Sequence, residues 1–183
     1  DASRTLIERH ASQLAAVIID PVVSRMGFVQ ATPEYLSMLR EVTTAHGILL
    51  VFDEVFSFRM GYHGAQGRVG VTPDLITTAK GIAGGMPIAA VTGRTELMNA
   101  VHEGGLGGTY GGNPVAAAAA LASIRYMREH KLYEAARHIG DVISKSLNAL
   151  KTEVGIIGEV RGRGAMQAME LVMPGTKLPN AAA

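Results

Sequence analysis

The sequence predicts an α/β fold, in which a mainly parallel sheet is flanked by helices and followed by the start of a smaller α/β unit. Three observations carry this. Several short apolar runs end in a charged or small residue, as strands buried on both faces do. Helix-start signals stand at Thr32-Pro33 and Asn113-Pro114, each a capping side chain followed by proline at the first helical position. Strands divided by helices or long crossovers favour parallel pairing, because only a crossover returns the chain to run in the same direction.

Leu14 to Asp20 (LAAVIID), closed by Pro21, reads as the first strand. Thr32 caps a helix whose Leu36, Leu39, Val42 and Thr43 fall on one face, and Gly47 stops it. Ile48 to Phe52 before Asp53-Glu54, Asp74 to Ala79 before Lys80, and Ile88 to Thr92 before Gly93 are the next three strands. Asn113 opens a helix to about His130 whose Ala-rich first turns are apolar all round, so deep burial is expected. In the helix after it, Leu132, Ala135, Ala136, Ile139, Ile143, Leu147 and Leu150 form the expected packing stripe. Gly155, Gly158, Gly162 and Gly164 then interrupt the pattern, and Ala165 to Val172 reads as a strand of a different unit. A boundary near 150 follows, with residues 1–150 in a large domain and 151–183 opening a small C-terminal one.

Composition narrows the function. Of 183 residues 48% are hydrophobic and 18% charged, which fits a globular chain with a sizeable core. The net charge is +1 with no Lys/Arg stripe, so neither nucleic acid nor an anionic membrane surface is expected as a partner. The apolar run around Val115 to Ala122 is too short to span a bilayer. A small molecule is the expected ligand. There is no cysteine, which excludes disulfides and thiolate metal sites and agrees with a reducing cytoplasm. The six histidines show no paired ligand spacing, so no metal is expected.

In open α/β sheets ligands bind beyond the carboxyl ends of the strands. Asp20, Asp53 with Glu54, and Lys80 all stand at such ends, and Lys80 leads into the flexible run Gly81-Ile82-Ala83-Gly84-Gly85-Met86-Pro87. A lysine among apolar residues and glycines can attack an aldehyde, while an aspartate can pair with a protonated ring nitrogen. Each has a plainer reading: a lone strand-end aspartate is usually a turn former and a lone lysine is usually solvated. The apolar strand before Asp53-Glu54 also suits an ATPase, where the pair would serve Mg²⁺ and water. That chemistry needs a G-x-x-x-x-G-K-[ST] phosphate loop, and none occurs in this sequence. Arg25, Arg59 and Arg68 could grip a substrate carboxylate, though structural roles are commoner. Tyr62, Tyr110 and Met86 suit packing.

The combination is more specific than its parts. Leu49-Leu50-Val51-Phe52-Asp53-Glu54-Val55, Gly64-Ala65-Gln66, Val71-Thr72-Pro73-Asp74, Lys80, Gly84-Gly85-Met86-Pro87 and Gly107-Gly108-Thr109-Tyr110-Gly111-Gly112-Asn113-Pro114 together resemble class III aminotransferases, which are fold-type I enzymes dependent on pyridoxal 5′-phosphate (PLP). The likeness extends to the glutamate-1-semialdehyde aminomutase branch and covers residues 14–171. It implies part of a fold-type I PLP-transferase large domain, with Asp53 as partner of the pyridine nitrogen, Val55 packed on one ring face and Lys80 as the Schiff-base lysine. Thr109 matches a threonine that reaches the cofactor phosphate of the neighbouring subunit, which implies a homodimer with a shared active site.

Asp20-Pro21 stands where the family usually has Glu-Pro. Phe56-Ser57-Phe58 is one residue shorter than the usual loop, lacks its glycine, and makes Phe56 a packing wall. The phosphate cup, the aromatic residue on the other ring face and much of the small domain have no counterpart, so the chain reads as a middle segment. The reaction implied is amino transfer from an amine or amino acid to a keto acid or aldehyde, with an aminomutase as the alternative. An ATPase using Asp53 and Glu54, or a cofactor-free remnant that only binds partners, would be more distant readings.

Overall fold

The structure, a computed structural model, describes residues 2–105 and 107–182. The chain begins with a helix that the sequence reading passes over, α1 (Ala2–His10), in which only Ile7 is buried. It is fixed to the next helix by Ser3 Oγ, 3.0 Å from the Tyr35 hydroxyl, and by Arg4 and Glu41 at 3.1 Å. Strand β1 (Ala16–Ile19) is followed by a small antiparallel hairpin, β2 (Val22–Val23) and β3 (Val29–Gln30). Helix α2 (Pro33–Ala45) starts as its sequence dictates, the Tyr35 N–H donating to Thr32 Oγ1 at 3.2 Å. Leu36, Leu39, Val42 and Thr43 form its buried face, and the Thr43 hydroxyl donates to the Leu39 carbonyl at 2.7 Å, which satisfies a polar group in the core.

Strand β4 (Leu49–Asp53) is central, with Leu50 and Phe52 fully covered. After it come a 3₁₀ turn over Ser57–Met60, the short α3 (Gln66–Val69), β5 (Leu75–Thr78), a 3₁₀ turn over Lys80–Ala83, β6 (Ala90–Gly93) and the short α4 (Thr95–Met98). The last four elements are α5 (Pro114–Glu129), α6 (Leu132–Glu153), β7 (Ile157–Arg163) and β8 (Met166–Leu171). Among the described residues no helix is long and apolar enough to cross a membrane.

The chain divides into two units, one comprising residues through Pro21 with Ala31–Glu129, the other Val22–Gln30 with the chain from His130 onward. The first unit holds a four-stranded sheet in the order β1-β4-β5-β6. β1 and β5 both run parallel to β4, whereas β6 is antiparallel to β5, so the sheet is mixed but mainly parallel. Ile7, Leu36, Leu39, Val42, Ile48, Leu50, Phe52 and Val71 make the core, each large side chain contributing about 1.5–3 kcal/mol on burial.

Helix α5 departs from expectation. Its Ala116 and Ala120 are buried, but Val115, Leu121 and Tyr126 stay at least 56% exposed, so deep burial does not hold within this chain. Its start is as expected, with Asn113 Oδ1 accepting from the N–H groups of Val115 and Ala116.

In the second unit α6 packs on the β7–β8 hairpin by a face that keeps Leu132, Ala136, Ile143 and Leu147 of the expected stripe half-buried but is turned towards Gly140. Gly140 is its buried centre, whereas Ile139 and Leu150 are exposed. A Cβ at Gly140 would run into the Gly164 backbone, so absence of a side chain, rather than an apolar one, sets the contact. The β2–β3 hairpin joins this unit: Gln30 Nε2 donates to the Gly162 carbonyl at 3.1 Å, and Arg161 Nε donates to the Gly27 carbonyl at 2.7 Å.

Candidate active site

Parallel pairing brings the carboxyl ends of β1, β4 and β5 to one edge of the sheet. Ile19 is level with Phe52 and Asp53 with Thr77, so Asp20 and Asp53 end adjacent strands and Lys80 follows the next one by two residues. Asp53 is half-buried. Its Oδ1 accepts from the Val55 N–H at 3.0 Å and from Thr77 Oγ1 at 3.5 Å. Among the described residues Oδ2 takes no hydrogen bond, which leaves an acceptor suited to a protonated ring nitrogen. Val55 follows in the same turn.

Lys80 is exposed and sits in the left-handed region at φ 52°, uncommon for any residue but glycine. Phe28 at φ 58° and Lys131 at φ 50° share this region, so the place of Lys80 beyond β5 rather than its φ sets it apart. Its Nζ lies 5.1 Å from the centre of the Phe56 ring, and no hydrogen bond or ion pair to Nζ is found among the described residues. Phe56 is thus the wall of the lysine itself. The turn after Lys80 is held from one side by Arg59, whose guanidinium fills the space a Cβ of Gly81 would need, and which donates to Met127 Sδ at 3.4 Å. Neither Arg59 nor Arg68, which donates to the Met60 carbonyl at 2.9 Å, has a carboxylate partner among the described residues.

Glu54 behaves differently from its neighbour. It is wholly buried, with Oε2 accepting from the Ala65 N–H at 2.6 Å and Oε1 from the Gln66 N–H at 3.1 Å. Burial pushes its carboxyl above the usual range, the two N–H groups work against that, and the nearby Asp20 carboxylate adds to it. Both oxygens are engaged by the loop, which leaves Glu54 unsuited to the magnesium and water role of an ATPase. Nothing in the spacing of Glu54 and Gly64-Ala65-Gln66 announced this loop contact.

Thr109 lies on the exposed stretch before α5, and none of the described hydrogen bonds joins it to Asp53 or Lys80. Among the described residues no cluster of His, Cys, Asp and Glu could hold a metal ion.

A cavity of about 320 Å³ lies at the opposite, amino ends of β4 and β5, lined in part by Arg40, Asp74 and Arg94. Its polar groups satisfy one another. Asp74 Oδ2 accepts from the Leu50 N–H at 2.8 Å and from Arg40 at 2.9 Å, and Oδ1 accepts from Arg94 at 3.0 Å. Burial alone would raise the Asp74 carboxyl, but those hydrogen bonds outweigh it and hold the group below its ordinary range. The cavity is therefore a structural knot whose polar groups are taken up by one another.

The family model described as aminotransferase class-III matches residues 1–183. The chain is 46% identical over 172 residues to the 5-aminovalerate aminotransferase of Pseudomonas putida, covering 93% of this chain and 40% of that protein. It is 43% identical over 162 residues to the glutamate-1-semialdehyde 2,1-aminomutase of Rhodopirellula baltica, covering 86% of this chain and 37% of that one. Among solved structures, an omega-transaminase from Sphaerobacter thermophilus superposes with a TM-score of 0.86 at 38% identity, over 92% of this chain and 40% of the other. The chain thus spans about two fifths of the length of these relatives.

Proposed function

The chain belongs to the class-III aminotransferase family, and from that premise we propose that the protein of which it is part moves an amino group from an amine or amino acid to a keto acid or aldehyde, with PLP carried on Lys80. The observation that carries this reading is the placing at one sheet edge of an exposed lysine and an aspartate, with Lys80 Nζ and Asp53 Oδ2 taking no hydrogen bond among the described residues. When bound, PLP supplies an electron sink for negative charge arising on the substrate carbon that bears the amino group. Lys80 Nζ would be the point of covalent attachment and, as a free amine, the base that could hold and return the proton of that carbon. Asp53 Oδ2 would accept from the ring N–H and keep that nitrogen protonated, and Val55 would pack against the ring. Thr109 reaches the phosphate of a partner subunit's cofactor, which makes the working form a homodimer.

On this reading the cofactor-binding domain runs to about residue 150 and residues 151–183 open the small domain, the separate β7–β8 pair supporting a second unit, with which α6 and the β2–β3 hairpin also cluster. A cytoplasmic location accords with the absence of cysteine. The test is borohydride reduction of the PLP-loaded full-length protein followed by peptide mass spectrometry. A pyridoxyl group on Lys80 is expected, and its appearance on Lys131, Lys145, Lys151 or Lys177 instead sinks the assignment. An aminomutase remains the second reading, supported by the 43% identity to such an enzyme. Incubation with one amino-aldehyde substrate and no second carbonyl compound separates the two, since only an aminomutase moves the amino group between adjacent carbons of that molecule.

A further inference from the structure

We propose that Glu54 is a positioning residue of this reaction: its buried carboxylate buckles the Gly64–Gln66 loop to the end of β4 and so fixes the backbone that presents Asp53 at the Lys80 edge. The proposal rests on the functional reading above. Glu54 is joined to its surroundings at every polar atom. Its N–H donates to the Thr77 carbonyl at 2.9 Å, which ties it to the strand that leads to Lys80. Its carbonyl accepts from the Phe58 N–H at 3.0 Å, which closes the turn beyond Phe56. Its carboxylate takes two backbone N–H groups of the loop, Ala65 itself being 1% exposed.

Gly64 is shaped to this contact. It stands at φ 67°, and a Cβ there would come within 3.0 Å of Glu54 Cδ and closer still to Oε2. A charged group buried among backbone donors is a directional clamp, because charge-assisted hydrogen bonds are stronger than neutral ones and leave orphaned donors when removed. The clamp lies one residue from Asp53, whose own orientation depends on the next peptide through the Val55 N–H. Glu54 touches none of the reacting positions, so its effect passes through Asp53.

The experiment uses full-length protein carrying Glu54→Gln, with Asp74→Asn as a control that loses buried hydrogen bonds at the other ends of the same strands. Glu54→Gln keeps size but turns one acceptor into a donor facing a backbone N–H. Turnover per bound cofactor should fall about 100-fold, the loss typical of a displaced reacting group, with KM within about threefold. In the cofactor-free protein, amide hydrogen exchange should quicken both at residues 64–66 and at 53–58. Asp74→Asn should lower the melting temperature without either effect.

Faster exchange confined to 64–66, or turnover within about twofold of the parent, overturns the proposal and leaves the functional reading intact. A parent protein that yields no Lys80 adduct overturns both. If Glu54→Gln does not fold, Gly64→Ala, which presses a methyl on the same carboxylate while leaving its charge, must reproduce the turnover loss. Failure of both variants to fold assigns Glu54 to the fold alone and overturns the proposal.

Discussion

The ring of Phe56 lies 5.1 Å from Nζ of Lys80, although the two residues follow different strands. An ammonium group over an aromatic face at an exposed site is held by about 0.5–1 kcal/mol. Phe56→Leu should therefore lower kcat/KM of the full-length enzyme about two- to fivefold, by letting the freed amine wander, and Phe56→Tyr should not. Equal kinetics for the leucine variant and the parent would reduce Phe56 to a spacer.

Asp53→Asn should lower turnover far more than it lowers cofactor content. The amide cannot hold a protonated ring nitrogen by charge, and each roughly 1.36 kcal/mol lost in the transition state slows the reaction about tenfold. Measured on PLP-saturated protein, an unchanged turnover would reduce Asp53 to a turn former.

Asp74→Asn should shift the urea midpoint downward at neutral pH without changing the slope. The amide leaves the Leu50 N–H or the arginines short of an acceptor, at a cost of about 1–3 kcal/mol. Asp74 has a lowered pKa in the fold, so its contribution is present above the unfolded value and is lost as pH falls through the lower folded one. The gap between parent and variant should close only in strong acid.

Glu54 has the opposite sign. Its pKa is raised in the fold, so folding is favoured by the protonated form below the ordinary glutamate range and loses that contribution as pH rises through the raised value. Unfolding free energy of the parent, followed from that range upward, should show a decline that Glu54→Gln lacks. Parallel pH profiles would refute the assignment of that titration to Glu54.

Strands β1, β4, β5, β6 and β8, the capped starts of α2 and α5, and the Asp53 and Lys80 positions were legible because apolar runs, prolines and strand-end charges are local signals, whereas the two-residue β2 and β3 and the glycine-bearing β7 were not. What was hidden depends on atoms distant in sequence. Helix α1 is largely polar and buries a single side chain, Ile7, so it offers no apolar run to read. The inward face of α6 is set by Gly140 meeting Gly164, and a glycine gives no apolar signal. Helix α5 read as a core helix from composition alone, yet burial depends on what covers each face. Glu54 looked like a twin of Asp53, and only the return of the chain at Ala65 distinguishes a buried clamp from a group with an open oxygen.

The left-handed backbone at Lys80 also bears on descent. A side-chain-bearing residue held there costs on the order of 1 kcal/mol or more relative to an unstrained one, a burden that Phe28 and Lys131 share and that the proposed role of the Lys80 amine would offset. In a lineage that gave up the chemistry, substitution to glycine would relieve the strain and leave the surrounding turn untouched. On the proposed role of Lys80, glycine at position 80 in an otherwise similar sequence is expected to keep the architecture without the chemistry, and a Lys80→Gly variant of this chain should be more heat-resistant than Lys80→Ala.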